Sequence, residues 1–458
     1  MLRFIDITAI ATFLALLSPA APCQDQPNPP FAISLDPTFG NAGVIAEHSI
    51  PDATKQGIFL ALAIDGRGRP VAAGDSSDHQ FSIARYTPDG RPDSIFADNS
   101  KASIVIEDQA TIDAAGKRQI DSTTDMAIDA QGRIIVVGKA AALDSDRKSD
   151  FVVLRFDDRG QLDKSFAGIG YRKYAAHDWP NVATSVATAA DGSILVGGYA
   201  QAEILRADHL PQIDPLLMRL KNDGAIDEAF SAAANGALRW LVKEEAPAAV
   251  SGIALDPQGR TLVSLNLQHG WHSFWAVARL KNNGELDETF GNSGLWSAKL
   301  DEHAIREVSC SVAIDSTGRI IVGGCSPDKN LRRLAVARLT SDGKSDSTFG
   351  SQKNGAVILD GYGLKADQLV GPRVAIAQGK IAIAGTVEAA SRVFGLAVID
   401  DTGKHIAKAD PQPFPDSKGD AVNAIAFDSH GRILVVGGSR GPDRKLRFAL
   451  ARYIISAR

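Results

Sequence analysis

A short phrase comes round seven times in this chain, about sixty residues apart: an apolar pair, a turn holding glycine, and an apolar run that ends in glycine. Its turn glycines are Gly68, Gly132, Gly192, Gly259, Gly318, Gly379 and Gly431, separated by 64, 60, 67, 59, 61 and 52 residues. A period of that length over nearly the whole chain sets the architecture ahead of any motif. Units this short lack private cores and must stack, so the 458 residues read as one repeat body, where length alone suggests two or three domains.

The second unit shows the content of a repeat. Met126-Ala127-Ile128-Asp129 is a short strand, Ala130-Gln131-Gly132 a turn, and Arg133 to Gly138 a second, almost wholly apolar strand. Phe151 to Phe156 is a third strand, and a fourth lies around Gly170 to Ala175. Short strands with turn signals every eight to fifteen residues are an all-β pattern, and no window carries a helical period of comparable strength. The last unit stops after three strands (422–427, 432–438 and 446–453), and the missing phrase and strand stand at the other end, at Leu35 to Ala46. Closing the last unit with that segment removes two open sheet edges. The expected fold is therefore an all-β, seven-bladed β-propeller of four-stranded antiparallel blades over residues 33–458, its last blade completed by the N-terminal strand at 33–50.

The phrase Leu286-Asp287-Glu288-Thr289-Phe290-Gly291-Asn292-Ser293-Gly294, with Ala278-Arg279-Leu280 and Ala254-Leu255-Asp256-Pro257-Gln258-Gly259-Arg260 before it, resembles the delta-60 repeat. The resemblance covers residues 33–453 and implies a bacterial, exported β-propeller. It brings no activity with it. The sixth unit departs most: Val398 stands for the repeat arginine, Ile406 for the aspartate, and the Phe-Gly phrase is lost.

The first twenty residues read as an export signal: Arg3, an apolar run from Ile7 to Leu17, and Ser18-Pro19-Ala20 for cleavage. Residues 21–32 read as a flexible leader, and Pro22 before Cys23 does not suit a lipobox. The run is too short to span a bilayer, so the mature chain is expected in the periplasm or outside the cell, without a transmembrane segment and as a monomer. Cys310 and Cys325 flank one hairpin, and export leaves two readings for them: a cross-strand disulfide, or two buried thiols. Net charge is -5, with Lys and Arg spread evenly, which speaks against nucleic acid as a partner.

The repeated polar residues read as structure. Asp65, Asp129, Asp256, Asp315 and Asp428 open the first turn of their units, three residues ahead of its glycine. Arg85/Asp93, Arg155/Asp163, Arg219/Asp227, Arg279/Asp287 and Arg338/Asp346 recur at a spacing of eight, and Arg452 is answered by Asp36 across the closure. Such pairs suit a clasp made once per blade, and Phe39, Phe96, Phe166, Phe230, Phe290 and Phe349 suit plugs between blades.

Function is sought among the unrepeated residues. The loops after the second and fourth strands share one face, where His177, Asp178, Trp179, Trp271, His272 and His303 gather, and loops on a rigid scaffold commonly carry binding. The expected function is an exported binding or scaffold propeller that grips an envelope protein or glycan on this face. The alternatives are a lactonase-like, metal-dependent hydrolase in the central channel and a passive surface protein. For a metal such as calcium, Asp121, Asp125 and Glu307 are the nearest ligands, with Asn181 and Asn423 beside them. No cofactor is expected, no catalytic motif is present, and an enzyme is the less favoured reading.

Overall fold

The computed structural model describes residues 29–46, 57–76, 80–98, 100–104, 121–141, 149–175, 180–205, 211–241, 249–269, 272–301, 308–328, 331–364, 372–388, 392–409, 417–441, 443 and 445–457. The first strands, β1 (Phe31–Leu35) and β2 (Val44–Ala46), join a sheet formed at the far end of the sequence. One antiparallel sheet holds β3 (Gly57–Ile64), β4 (Pro70–Ser76), β5 (Phe81–Arg85) and β6 (Lys101–Ile104). The next holds β7 (Ser122–Ile128), β8 (Ile134–Ala141), β9 (Ser149–Phe156) and β10 (Tyr171–Tyr174). The third has only β11 (Asn181–Thr188), β12 (Ile194–Leu205) and β13 (Pro211–Leu220), followed by helix α1 (Glu228–Leu241). Two more four-stranded sheets follow: β14 (Val250–Leu255) with β15 (Thr261–His269), β16 (His272–Leu280) and β17 (Leu295–Ala298), then β18 (Val308–Ile314) with β19 (Ile320–Asp328), β20 (Leu331–Leu339) and β21 (Ala356–Leu364).

The last sheet has nine strands. It joins β22 (Arg373–Ala377), β23 (Lys380–Glu388), β24 (Arg392–Asp400) and β25 (His405–Lys408) to β26 (Gly419–Phe427), β27 (Ile433–Arg440) and β28 (Leu446–Ala457). The N-terminus makes the junction. β1 runs antiparallel to the end of β28 and parallel to β25, with Phe31 opposite Ala407, while β2 pairs antiparallel with the middle of β28. Phe31 and Ala32 are thus strand residues, a correction to the leader expected over 21–32.

The edge strands close a ring. β3 packs on β7, β7 on β11, β11 on β14, β14 on β18, β18 on β22, β22 on β26, and β26 on β3. An alanine recurs at one register in all seven (Ala63, Ala127, Ala187, Ala254, Ala313, Ala375 and Ala426), each part-buried where the strands converge on the axis. Between sheets the core is aliphatic and aromatic; Phe39, Phe96, Phe166, Phe290 and Phe349 are all fully buried.

Helix α1 overturns the expectation of four strands in every unit and of no helix. Asp227 caps it, its Oδ1 accepting from the Phe230 amide. Phe230, Ala234 and Leu238, four apart, are the buried stripe. The helix also does what a fourth strand would do for the edge of β13. Asn235 Oδ1 accepts from the Leu217 amide at 2.9 Å and Ser231 Oγ from the Arg219 amide at 3.1 Å. Residues four apart on a helix advance about 6 Å and residues two apart on a strand about 6.6 Å, so the two acceptors match the two donors. Replacing both Ser231 and Asn235 by alanine orphans two part-buried amides, and urea unfolding should show a loss of about 1–3 kcal/mol for each.

Candidate functional site

The two ends of the ring differ in chemistry. At the end that carries the first turns, the repeated residues build a joint between successive sheets. Arg279 shows its parts: Nε donates to Asp287 Oδ2 at 2.8 Å, Nη1 to the Ser341 carbonyl of the next sheet at 2.6 Å, and the guanidinium lies 4.6 Å from the Phe290 ring centre. Arg85, Arg155, Arg219, Arg338 and Arg452 repeat this arrangement onto the carbonyls of Asp158, Asn222, Asn282, Asp401 and Pro88. Their guanidiniums sit 4.2 to 4.9 Å from the ring centres of Phe96, Phe166, Phe230, Phe349 and Phe39. Main-chain bonds run alongside: the amides of Gly40, Ala97, Ala167, Gly291 and Gly350 donate to Asp89, Arg159, Asp223, Asp342 and Thr402 of the following sheet. The turn glycine there is required twice over. Gly343 sits at φ +82°, and a Cβ would fall 2.7 Å from Phe290 and from the Gly291 nitrogen.

The clasp carboxyls titrate below 3.8 in Asp36, Asp93, Asp163, Asp287 and Asp346. Burial pushes each upward, but hydrogen bonds and the arginine outweigh it. In Asp227 the Arg219 hydrogen bond is the leading cause of the same lowering. A lowered folded pKa stabilises the protein above the unfolded value, and that stability is lost as pH falls through the folded one. Asp75 and Asp125, raised mainly by burial, act in the opposite sense and offset part of the loss. The clasp carboxyls should therefore make the melting temperature fall as pH drops below about 4, as a pH series of thermal melts would record.

The other end of the ring is built from bulges. β3, β7, β11, β14, β18 and β26 each skip one residue in their pairing: Leu60, Thr124, Thr184, Ser251, Cys310 and Asn423. Thr124, Thr184 and Ser251 turn their hydroxyls onto the Val137, Gly197 and Ser264 carbonyls. Asp75, Asn266 and Thr386, on second strands, accept from the Thr123, Ser309 and Val422 amides of the following unit. Asn423 Nδ2 donates to Phe59 O at 2.7 Å, which joins the last inner strand to the first.

Two charges stand out in this collar because they occupy one register of the inner strands. Asp125 accepts from the Met126 and Val186 amides at 2.9 and 3.0 Å. Arg373 donates to the Cys310 carbonyl at 2.7 Å. Their strands, β7 and β22, are not neighbours in the ring, yet the Arg373 charge lowers the Asp125 pKa against the larger effect of burial. Both residues are part-exposed. Sequence reasoning missed Arg373, whose only signal was a basic residue at a register where the inner strands other than β7, with Asp125, have small or hydroxyl ones.

Of the expected binding residues, His272 is exposed at the start of β16, while His177, Asp178, Trp179, Trp271 and His303 lie outside the described residues, as does Glu307. Asp121 is buried and accepts from the Ala141 amide, and Asn181 is fully buried. Among the described residues, no three His, Cys, Asp or Glu side chains are grouped to hold a metal, and no helix is long and apolar enough to cross a membrane. The cross-strand disulfide is not formed. Cys325 pairs with Val308, Cys310 is the bulge residue, and both are buried thiols.

A family model described as "Domain of unknown function (DUF5122) beta-propeller" matches residues 189–230 and 316–349. The fold is a β-propeller. The polysaccharide lyase Uly1 superposes on it with a TM-score of 0.50 at 11% identity, over 91% of each chain. Puromycin hydrolase gives 0.46 at 12% identity, over 85% of this chain and 51% of its own, so the propeller spans about half of that protein. A protein of unknown function from Dyadobacter fermentans gives 0.42 at 10% identity, over 92% of this chain and all of its own. Identities this low speak for fold alone. No curated protein sequence matches the chain.

Proposed function

We propose that this is a seven-bladed, exported propeller of the delta-60 kind that works by binding an envelope glycan or protein on the face where its inner strands begin. One observation carries the reading. The repeated arginines and aspartates of the turn face are committed to joints between sheets, whereas the charges Asp125 and Arg373 stand on the inner strands toward the opposite mouth. Seven is the number of inner strands in the ring, with β25 and β1 joining the last two blades. Propeller ligands are gripped by loops from several blades, and exposed His272 opens β16 on the face that holds this mouth.

A thermal-melt panel of the purified protein with envelope saccharides, calcium, zinc, manganese and chelator tests the reading. A ligand that binds only the folded state at a hundred times its Kd adds about 2.7 kcal/mol. The expected result is a rise with one saccharide that Trp271→Ala removes. A rise with a metal ion, reversed by chelator, would displace this reading in favour of a channel-sited hydrolase.

A further inference from the structure

The joint between the fifth sheet and the β22–β25 part of the last sheet is built differently from the others, and the difference leaves a cleft. In five of the other six units a longer turn with its aspartate and arginine fills the gap, the third having Ala189 and Ser193 at those places. In five turns (Asp65–Arg69, Asp129–Arg133, Asp256–Arg260, Asp315–Arg319 and Asp428–Arg432) the arginine Nε donates to the aspartate Oδ2 at 2.6 to 2.7 Å. The turn between β22 and β23 is one residue shorter. Gln378 and Gly379, at φ +51° and +70°, close it directly, with Ala377 opposite Lys380. Beside it lies a cleft of about 140 Å³, lined by Asp315, Arg319, Arg338, Gln378 and Asp401 over a floor that includes Ile376 and Ile381.

The donors in this cleft are unequally occupied. Arg338 is fully engaged, by Asp346, Thr348 Oγ1 and the Asp401 carbonyl. Arg319 is not. Its counterparts Arg69, Arg133, Arg260 and Arg432 each reach a second side chain, respectively Asp93, Asn222, Asp287 and Asp36. Among the described residues, the Arg319 side chain is held by Asp315 alone. Its two outer nitrogens thus border the cleft as an unfilled fork, the geometry that grips a carboxylate in two parallel bonds. The Asp401 carboxylate is on an exposed residue and contributes only its carbonyl to the joint.

We infer that this cleft binds a small zwitterionic amino carboxylate, such as a free aliphatic amino acid. Arg319 takes the carboxylate, Asp401 takes the ammonium group, and the isoleucine floor takes the aliphatic side chain. The two acidic side chains disfavour a dianion such as phosphate, and the volume corresponds to about five waters, enough for one such molecule.

Titration calorimetry of the purified protein with L-valine, acetate, isobutylamine and inorganic phosphate tests the assignment. Valine should bind saturably, with acetate, isobutylamine and phosphate at least about tenfold weaker. Arg319→Lys, which keeps the charge and the bond to Asp315 but loses the fork, should weaken valine about tenfold or more. Asp401→Asn should do the same, with the melting temperature of both variants unchanged. Acetate binding as tightly as valine would overturn the assignment. So would valine binding that survives both substitutions, or no heat at millimolar valine.

Discussion

Removing residues 29–46 should leave a chain that does not reach the native fold, with soluble yield collapsing and no cooperative melt. The segment supplies two strands to β28, and β1 also pairs with β25. It further supplies Asp36 to buried Arg452, through a 2.8 Å bond, and Phe39, fully buried under that guanidinium at 4.4 Å. Without it, Arg452 keeps its charge in the interior with no counter-ion, and the edges of β25 and β28 are both opened. Ile33 and Val44 also leave the apolar cluster they share with Val398, Ile406 and Tyr453. A truncated protein that melts like the intact one would show that the ring does not depend on this closure.

Asp287→Ala should cost about 3–5 kcal/mol, the usual penalty for stranding one member of a buried ion pair. Arg279 and Asp287 are 3% and 5% exposed, so water cannot replace the lost carboxylate. The stranded guanidinium would keep only the Ser341 carbonyl, a long bond to Thr289 and the face of Phe290. Removing both charges, as in Arg279→Met with Asp287→Leu, should recover part of the loss, because apolar residues of similar volume tolerate the same burial. Urea midpoints of the two single variants and the double variant would measure the coupling. If the single variants unfolded at the wild-type midpoint but lost a ligand response, the pair would belong to a binding site and not to the joint.

The repeat period was legible because its turn chemistry is local: an aspartate bonded to amides two and four residues on, and a glycine at positive φ. The clasp was legible for the same reason, since Arg279 and Asp287 are only eight residues apart. Half of each joint was not, because its acceptors are main-chain carbonyls of the next sheet, which leave no mark on residue identity. Helix α1 was hidden by the repeat itself: Phe230 falls where the phrase expects its phenylalanine, and the buried stripe is only three residues long.

The sixth unit's departure was visible, but its reason required the fold. The turn that would offer a carbonyl to an arginine at position 398 is the one interrupted by the two chain ends, after β28 and before β1. An arginine there would be buried with nothing to hold. Val398 and Ile406 instead pack with Ile33 and Tyr453 in one apolar cluster, and the N-terminal strand crosses between them and β28. The candidate site was the least legible part. Asp125 was singled out as a metal ligand, but the Arg373 charge that acts on it and the Val186 amide it accepts from belong to strands far apart in sequence.

Amide hydrogen exchange at Gly40, Ala97, Ala167, Gly291 and Gly350 tests most directly the idea that the repeated phrase is a joint between blades. All five lie outside the strands, in tight turns whose amides ordinarily exchange fast, yet each donates to a carbonyl of the following sheet at 2.6 to 2.9 Å. The account predicts protection comparable to that of the central strands, released only by global unfolding. Exchange at the rate of ordinary turn amides would contradict it, and would return the repeated residues to the list of candidates for function.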